Sequence, residues 1–236
     1  MITCIVLLAL GAVMSAVFIV SKVTNYSLKT IIFKTVASLF FVALGIYCVA
    51  ISEEGNTAFK VLTLLGLIFG TLGDVLLGFK YITTKTKKLW ILLGMFAFAA
   101  GHIFYIVALF VGYYIPGNPL FIVLPFVTAV AISGIYLVVA KKVGIDFNSK
   151  LLPFAIFYLL CLTTMFSASF YMALLNQFSE VTIVMFFVGA SFFAASDFML
   201  TGSYFKPGQR PKAYNAVYSV CYYLAQFIIA FSIFFL

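Results

Sequence analysis

Charged side chains are scarce in this chain: only 8% of its 236 residues are Asp, Glu, Lys or Arg, and six in all are acidic. With 65% of residues apolar, that excludes an ordinary soluble domain, where about a quarter of residues carry charge. Histidine occurs once, and the four cysteines (Cys4, Cys48, Cys161, Cys221) are scattered with no CxxC pair. A zinc site needs clustered ligands, so no metal is expected, and the cysteines read as small residues of an apolar interior. No basic stretch precedes the first apolar run, which begins at Met1, so that run is expected to be a retained helix rather than a cleaved leader. No soluble extension stands out, and 1–236 reads as one integral membrane domain.

What the chain has instead is long apolar blocks. A membrane-spanning helix needs about 20 predominantly apolar residues. Eight segments qualify: 2–20, 31–51, 59–79, 89–111, 119–140, 151–172, 181–203 and 213–235. The expected fold is therefore all-α, a polytopic bundle of eight transmembrane helices. Pro116, Gly117, Asn118 and Pro119 mark one tight turn, and Pro207-Gly208 marks another. A formal charge of +8 would suggest nucleic acid in a soluble protein. Here the basic residues sort by side instead, and no nucleic-acid partner is expected. The odd-numbered connections hold Lys22, Lys29, Lys80, Lys85, Lys87, Lys88, Lys141, Lys142, Lys150, Lys206, Arg210 and Lys212. The even-numbered ones hold Lys60 against Glu53, Glu54 and Glu180. By the positive-inside rule the odd connections are cytoplasmic, with both termini outside the cell membrane.

Three charges remain inside apolar runs. Asp74 sits in Gly66-Leu67-Ile68-Phe69-Gly70-Thr71-Leu72-Gly73-Asp74-Val75-Leu76-Leu77-Gly78. Gly66, Gly70, Asp74 and Gly78 recur every fourth residue and share one helical face, of the small-xxx-small kind that brings helices together. An aspartate at the centre of a span costs roughly 2.5–3.5 kcal/mol on insertion scales, so Asp74 must face protein or water. Asp74 precedes Lys80 by six residues, or roughly 9 Å of helix, and Asp197 precedes Lys206 by nine, or roughly 13 Å. Lys34 lies a little over a turn into the second segment, so the three occupy a similar layer. His102 and Gln226 each follow a lysine by fourteen residues, roughly 21 Å deeper. Tyr105 and Tyr222 lie one turn from them. Together these groups predict a polar cavity open toward the cytoplasm. A faint 4+4 parallel repeat accompanies them: Gly66, Phe69, Gly73 and Asp74 match Gly189, Phe192, Ser196 and Asp197 in order and spacing.

One cation cannot neutralise two carboxylates. If Lys34, Asp74 and Asp197 meet, desolvation and like-charge repulsion favour keeping one acid protonated. A protonated acid beside an ionised one suits cleavage through a cationic intermediate, as paired carboxyls do in glycosidases. The same pair suits a proton-coupled transporter or lipid carrier, and carboxylates that merely fix packing are a third reading.

Five segments resemble the lysoplasmalogenase (YhhN-type) family of integral membrane proteins. They are Phe33-Lys34, Gly66 through Gly73-Asp74, Gly101-His102-Ile103-Phe104-Tyr105, Val188-Gly189-Ala190 through Ser196-Asp197, and Tyr222-Tyr223-Leu224-Ala225-Gln226. Thr35 departs from the pattern, since family members commonly carry proline after the lysine. The resemblance implies an enzyme that hydrolyses the vinyl ether of a lysophospholipid, a lysoplasmalogen, among membrane lipids and without a cofactor. The products are a fatty aldehyde and a glycerophospho-alcohol. In that chemistry one of Asp74 and Asp197 is the general acid; the other steadies the cation and takes a proton from water. Lys34 then holds the second carboxylate ionised or contacts the phosphate. His102, Tyr105, Tyr222 and Gln226 orient water and the ether oxygen.

Overall fold

The computed structural model describes residues 1–24, 26–52, 55–83, 85–145, 151–205 and 211–236. Glu53, Glu54, Lys150, Lys206, Arg210 and the Pro207-Gly208 turn, used in the charge and turn arguments, lie outside the described residues. The chain forms eight helices: α1 (Ile2–Thr24), α2 (Leu28–Ile51), α3 (Thr57–Phe79), α4 (Lys87–Tyr113), α5 (Leu120–Lys142), α6 (Leu152–Leu175), α7 (Val181–Phe205) and α8 (Lys212–Ser232). A 3-10 turn (Ile233–Phe235) extends α8, and the described residues contain no strand. All eight are long and apolar enough to cross a membrane, and each coincides with one of the eight apolar segments. This is a multi-pass membrane protein.

Helix ends move where local hydrogen bonds extend them beyond the apolar run. Thr30 Oγ1 accepts the Ser27 N–H at 3.1 Å, which starts α2 ahead of its apolar segment. Asn56 Oδ1 accepts the Phe59 N–H and caps α3. The turn before α5 forms where expected, with Gly117 at φ +85°, a backbone state open to glycine, and Asn118 Oδ1 accepting the Leu120 N–H. At Thr35 the second helix runs straight through, and the hydroxyl donates to the Ile31 carbonyl at 2.9 Å. A proline there would remove the backbone N–H that bonds this same turn.

Sequential helices pack as neighbours: α1 with α2, α2 with α3, α3 with α4, α5 with α6, α6 with α7, and α7 with α8. Closure comes from α4 on α6 and from α8 on α1, α2 and α3. Shifting each label by four turns α1–α2, α2–α3, α3–α4 and α4–α6 into α5–α6, α6–α7, α7–α8 and α8–α2, all of them observed pairs. α1 and α5 are the most exposed helices, and α6 and α8 the most buried.

The face bearing Gly66, Gly70, Asp74 and Gly78 is buried throughout. Its glycines make room for large side chains rather than only for backbone. A Cβ at Gly66 would lie 2.2 Å from Tyr105 Cε1, and one at Gly70 would lie 2.5 Å from Gln226 Nε2. Where backbones do meet, a Cβ at Gly101 would lie 3.1 Å from the Gly66 carbonyl oxygen. Overpacking of this kind costs about 1–3 kcal/mol. Gly66→Ala should therefore lower the thermal unfolding midpoint in detergent and displace the Tyr105 ring; an unchanged midpoint would mean that the ring has room to move.

Candidate active site

The intramembrane charges Lys34, Asp74 and Asp197 lie toward the end of the bundle that carries the odd-numbered connections. A cavity opens there, lined by residues of all eight helices. Lys34, Asp74 and Asp197 all line it. Tyr26 and Tyr81 stand at its mouth, their rings 4.0 Å apart between centroids. Its walls are mainly aliphatic and aromatic, among them Phe18, Leu77, Phe98, Leu162 and Phe198.

The two carboxylates have different surroundings. Asp74 is buried on α3, and its Oδ1 lies 2.8 Å from Lys34 Nζ of α2. Its Oδ2 accepts from Tyr222 OH of α8 at 2.7 Å and from Ser38 Oγ, one turn beyond Lys34, at 2.5 Å. Ser38 also lies 3.0 Å from the Lys34 carbonyl, but it has one proton, and the nearer, charged acceptor holds it more strongly. Both oxygens of Asp74 are thus occupied by donors, one of them a cation.

Asp197, buried on α7, takes no part in an ion pair among the described residues. Its Oδ2 accepts a short hydrogen bond from Tyr158 OH of α6. Since the single Tyr158 proton goes to Asp197, His102 Nε2, 3.3 Å from the same hydroxyl, acts as the donor to it. His102 Nδ1 then carries a lone pair, and it has no hydrogen-bond partner among the described residues. The His102 ring is fixed edge-on against Phe193, with centroids 4.8 Å apart.

The remaining expected residues stand behind these two centres. Tyr105 OH donates to Gln226 Oε1 at 3.0 Å, Gln226 Nε2 donates to Tyr222 OH at 3.1 Å, and Tyr222 donates to Asp74. Of His102, Tyr105, Tyr222 and Gln226, only Tyr222 lines the cavity. The other three reach the acids through a tyrosine. Tyr222 and Tyr158 are thus the two tyrosines that present a hydroxyl bonded to an acid at the cavity, while His102, Tyr105 and Gln226 hold those tyrosines.

Three contacts at or behind the cavity wall were not read from the sequence. Ser38 carried only the spacing signal, four residues from Lys34 on the same helical face. Tyr158 was signalled by the internal repeat: Lys34 and Tyr158 are 124 residues apart, Asp74 and Asp197 are 123, and His102 and Gln226 are 124. Lys34 on α2 meets Asp74 on α3 much as Tyr158 on α6 meets Asp197 on α7. The third is Lys22, counted with the loop lysines, whose Nζ donates to Ser219 Oγ at 2.7 Å inside the cavity lining.

At the mouth, Lys80 follows the last residue of α3, with its Nζ 4.5 Å from the centre of the Tyr81 ring. Burial first, and then the ammoniums of Lys22, Lys34 and Lys87, hold its pKa well below the usual lysine value. Among the described residues no three His, Cys, Asp or Glu side chains gather as a metal-ligand set.

Comparison with protein families finds a match to the YhhN family over residues 29–233. Neither the curated proteins nor the solved structures gave a match. The matched span contains Lys34, Asp74, His102, Tyr158, Asp197, Tyr222 and Gln226, and leaves out all of α1 with Lys22.

Proposed function

Since the chain belongs to the YhhN family, to which lysoplasmalogenases belong, we propose that it hydrolyses the vinyl ether bond of a lysoplasmalogen. The observation that carries this reading is the unequal pairing of two acids on one cavity: Asp74 has Lys34, and Asp197 has only a phenol. An ion pair on one oxygen and two donors on the other leave Asp74 no oxygen free to present a proton. Asp197, lacking a cation and accepting through Oδ2, has Oδ1 left to carry a proton toward the cavity. This assigns the general acid to Asp197.

The chemistry then runs with conserved atoms. Asp197 Oδ1–H gives its proton to the β-carbon of the vinyl ether, using the π electrons of the C=C bond. The positive charge left on the α-carbon is shared with the ether oxygen as an oxocarbenium ion, which the Asp74 carboxylate steadies. Water bonds to the α-carbon and loses a proton to the Asp197 carboxylate, restoring the acid and leaving a hemiacetal. Transfer of the hemiacetal hydroxyl proton to the ether oxygen breaks the C–O bond, giving fatty aldehyde and the glycerophospho-alcohol. The basic connections at the cavity's end favour placing it on the cytoplasmic side of a cell membrane, with both termini outside.

Purified protein in detergent, given a lysoplasmalogen, should release aldehyde with no second compartment present. In deuterated water the aldehyde, trapped at once by reduction, should carry one deuterium on the carbon next to the former carbonyl. Aldehyde without that deuterium would overturn the carbon-protonation step. No aldehyde in detergent, with proton or solute movement in sealed vesicles, would favour a carrier instead.

A further inference from the structure

Lys22 is a cation the mechanism does not use. It lies near the end of α1 and lines the cavity with Tyr218 and Ser219 of α8. Its Nζ sits 4.0 Å from the centre of the Tyr218 ring. Ser219 is its one hydrogen-bond partner among the described residues, and the Ser219 hydroxyl donates onward to the Asn215 carbonyl at 2.8 Å. An ammonium has three donors, so Ser219 and the aromatic face leave it with capacity for an anionic oxygen. No carboxylate pairs with it among the described residues, where the single ion pair is Lys34–Asp74.

The charges of the cavity lining point the same way. It holds two cations, Lys22 and Lys34, and two acids, Asp74 and Asp197. With a proton on Asp197, the lining has one positive charge in excess, which one phosphodiester anion would balance. The position also fits. Lys22 and Lys34 both face the Phe18 ring, at 5.6 and 6.0 Å from its centroid, and Lys34 is bonded to Asp74. A glycerophospholipid separates its ether oxygen from its phosphorus by only five bonds, so an ether held at the acids brings the phosphate to this neighbourhood.

We propose that Lys22, positioned by Ser219 and the Tyr218 ring, binds the phosphate of the ether lysolipid and selects phosphate-bearing substrates over neutral glycerol ethers. This rests on the lysolipid reading and adds the residue that recognises the headgroup. Lys34, committed to Asp74, is left with the electrostatics of the carboxylate.

The test reads binding, so it does not depend on turnover. Affinities of the purified full chain in a phosphate-free maltoside micelle are measured for three probes. They are a saturated hexadecyl glycerophosphoethanolamine ether, the neutral hexadecyl glycerol ether and inorganic phosphate. The wild type should prefer the phosphate-bearing ether. Lys22→Gln should reduce that preference about tenfold or more, the value of a charge-assisted hydrogen bond, and Lys22→Arg should retain most of it. An unchanged preference in Lys22→Gln, with the variant folded by circular dichroism, overturns the proposal. Inorganic phosphate binding as tightly as the ether lysolipid overturns the lipid as the source of the anion. Loss of preference in Lys22→Gln, in a protein that releases no aldehyde, upholds the phosphate site and overturns the hydrolase reading.

Discussion

Asp197→Asn should lower the rate of aldehyde release by about 10²–10⁴-fold, the range that general acid catalysis supplies, while leaving the bundle as stable as the wild type. The two halves of this expectation have separate physical origins. An asparagine amide matches the carboxylic acid in shape, and its oxygen can accept the Tyr158 hydroxyl as Asp197 Oδ2 does. No ion pair is lost, because Asp197 has none among the described residues. The fold therefore gives up little. The amide has no proton acidic enough to transfer to carbon, so the first chemical step fails. Turnover within tenfold of the wild type would falsify the acid assignment, whatever the stability.

Asp74→Asn should fail in both respects. It removes the partner of Lys34 and leaves an ammonium whose side chain is 15% exposed facing a neutral amide. Breaking a buried pair from one side costs about 3–5 kcal/mol, and the cavity beside Lys34 should bring the loss toward the lower figure. Ser38 and Tyr222 would each exchange a charged acceptor for a neutral one. Turnover should fall because the oxocarbenium ion loses its counter-charge, and the thermal midpoint should fall because the ammonium is unbalanced. Combining Lys34→Met with Asp74→Asn separates the two effects: the midpoint should recover, and the activity should not. Recovery of activity in the double variant would show that Asp74 serves the fold alone.

Much of this was legible before any coordinates, and the exceptions have specific causes. The eight spans follow from apolar length, which a bilayer imposes directly. The meeting of Lys34 with Asp74 followed from depth, since both sit about the same distance from one end of their helices. Lys22 was misread because the apolar run of α1 stops at 20 while the helix continues to Thr24. Those extra residues carry the lysine back over Tyr218 and into the cavity. Tyr158 is one of 14 tyrosines, and only its place in the faint internal repeat sets it apart before α6 packs on α7. For His102, Tyr105 and Gln226 depth was a poor guide. Roughly 21 Å along a helix says how far in a residue sits, but whether it borders the void or backs onto it is decided by rotation about the helix axis and by the neighbours it meets.

The file running from Tyr105 through Gln226 and Tyr222 to Asp74 has an amide in the middle. Hydroxyls can hop protons along a line of oxygens, but a carboxamide does so only by becoming an imidic acid, a form too costly to populate. Gln226 is therefore an insulator set into what would otherwise be a conducting wire. Protons at the Asp74 end of the file are therefore cut off along it from Tyr105, so on the hydrolase reading the acid can cycle its proton within the cavity without leaking it through the bundle by this route.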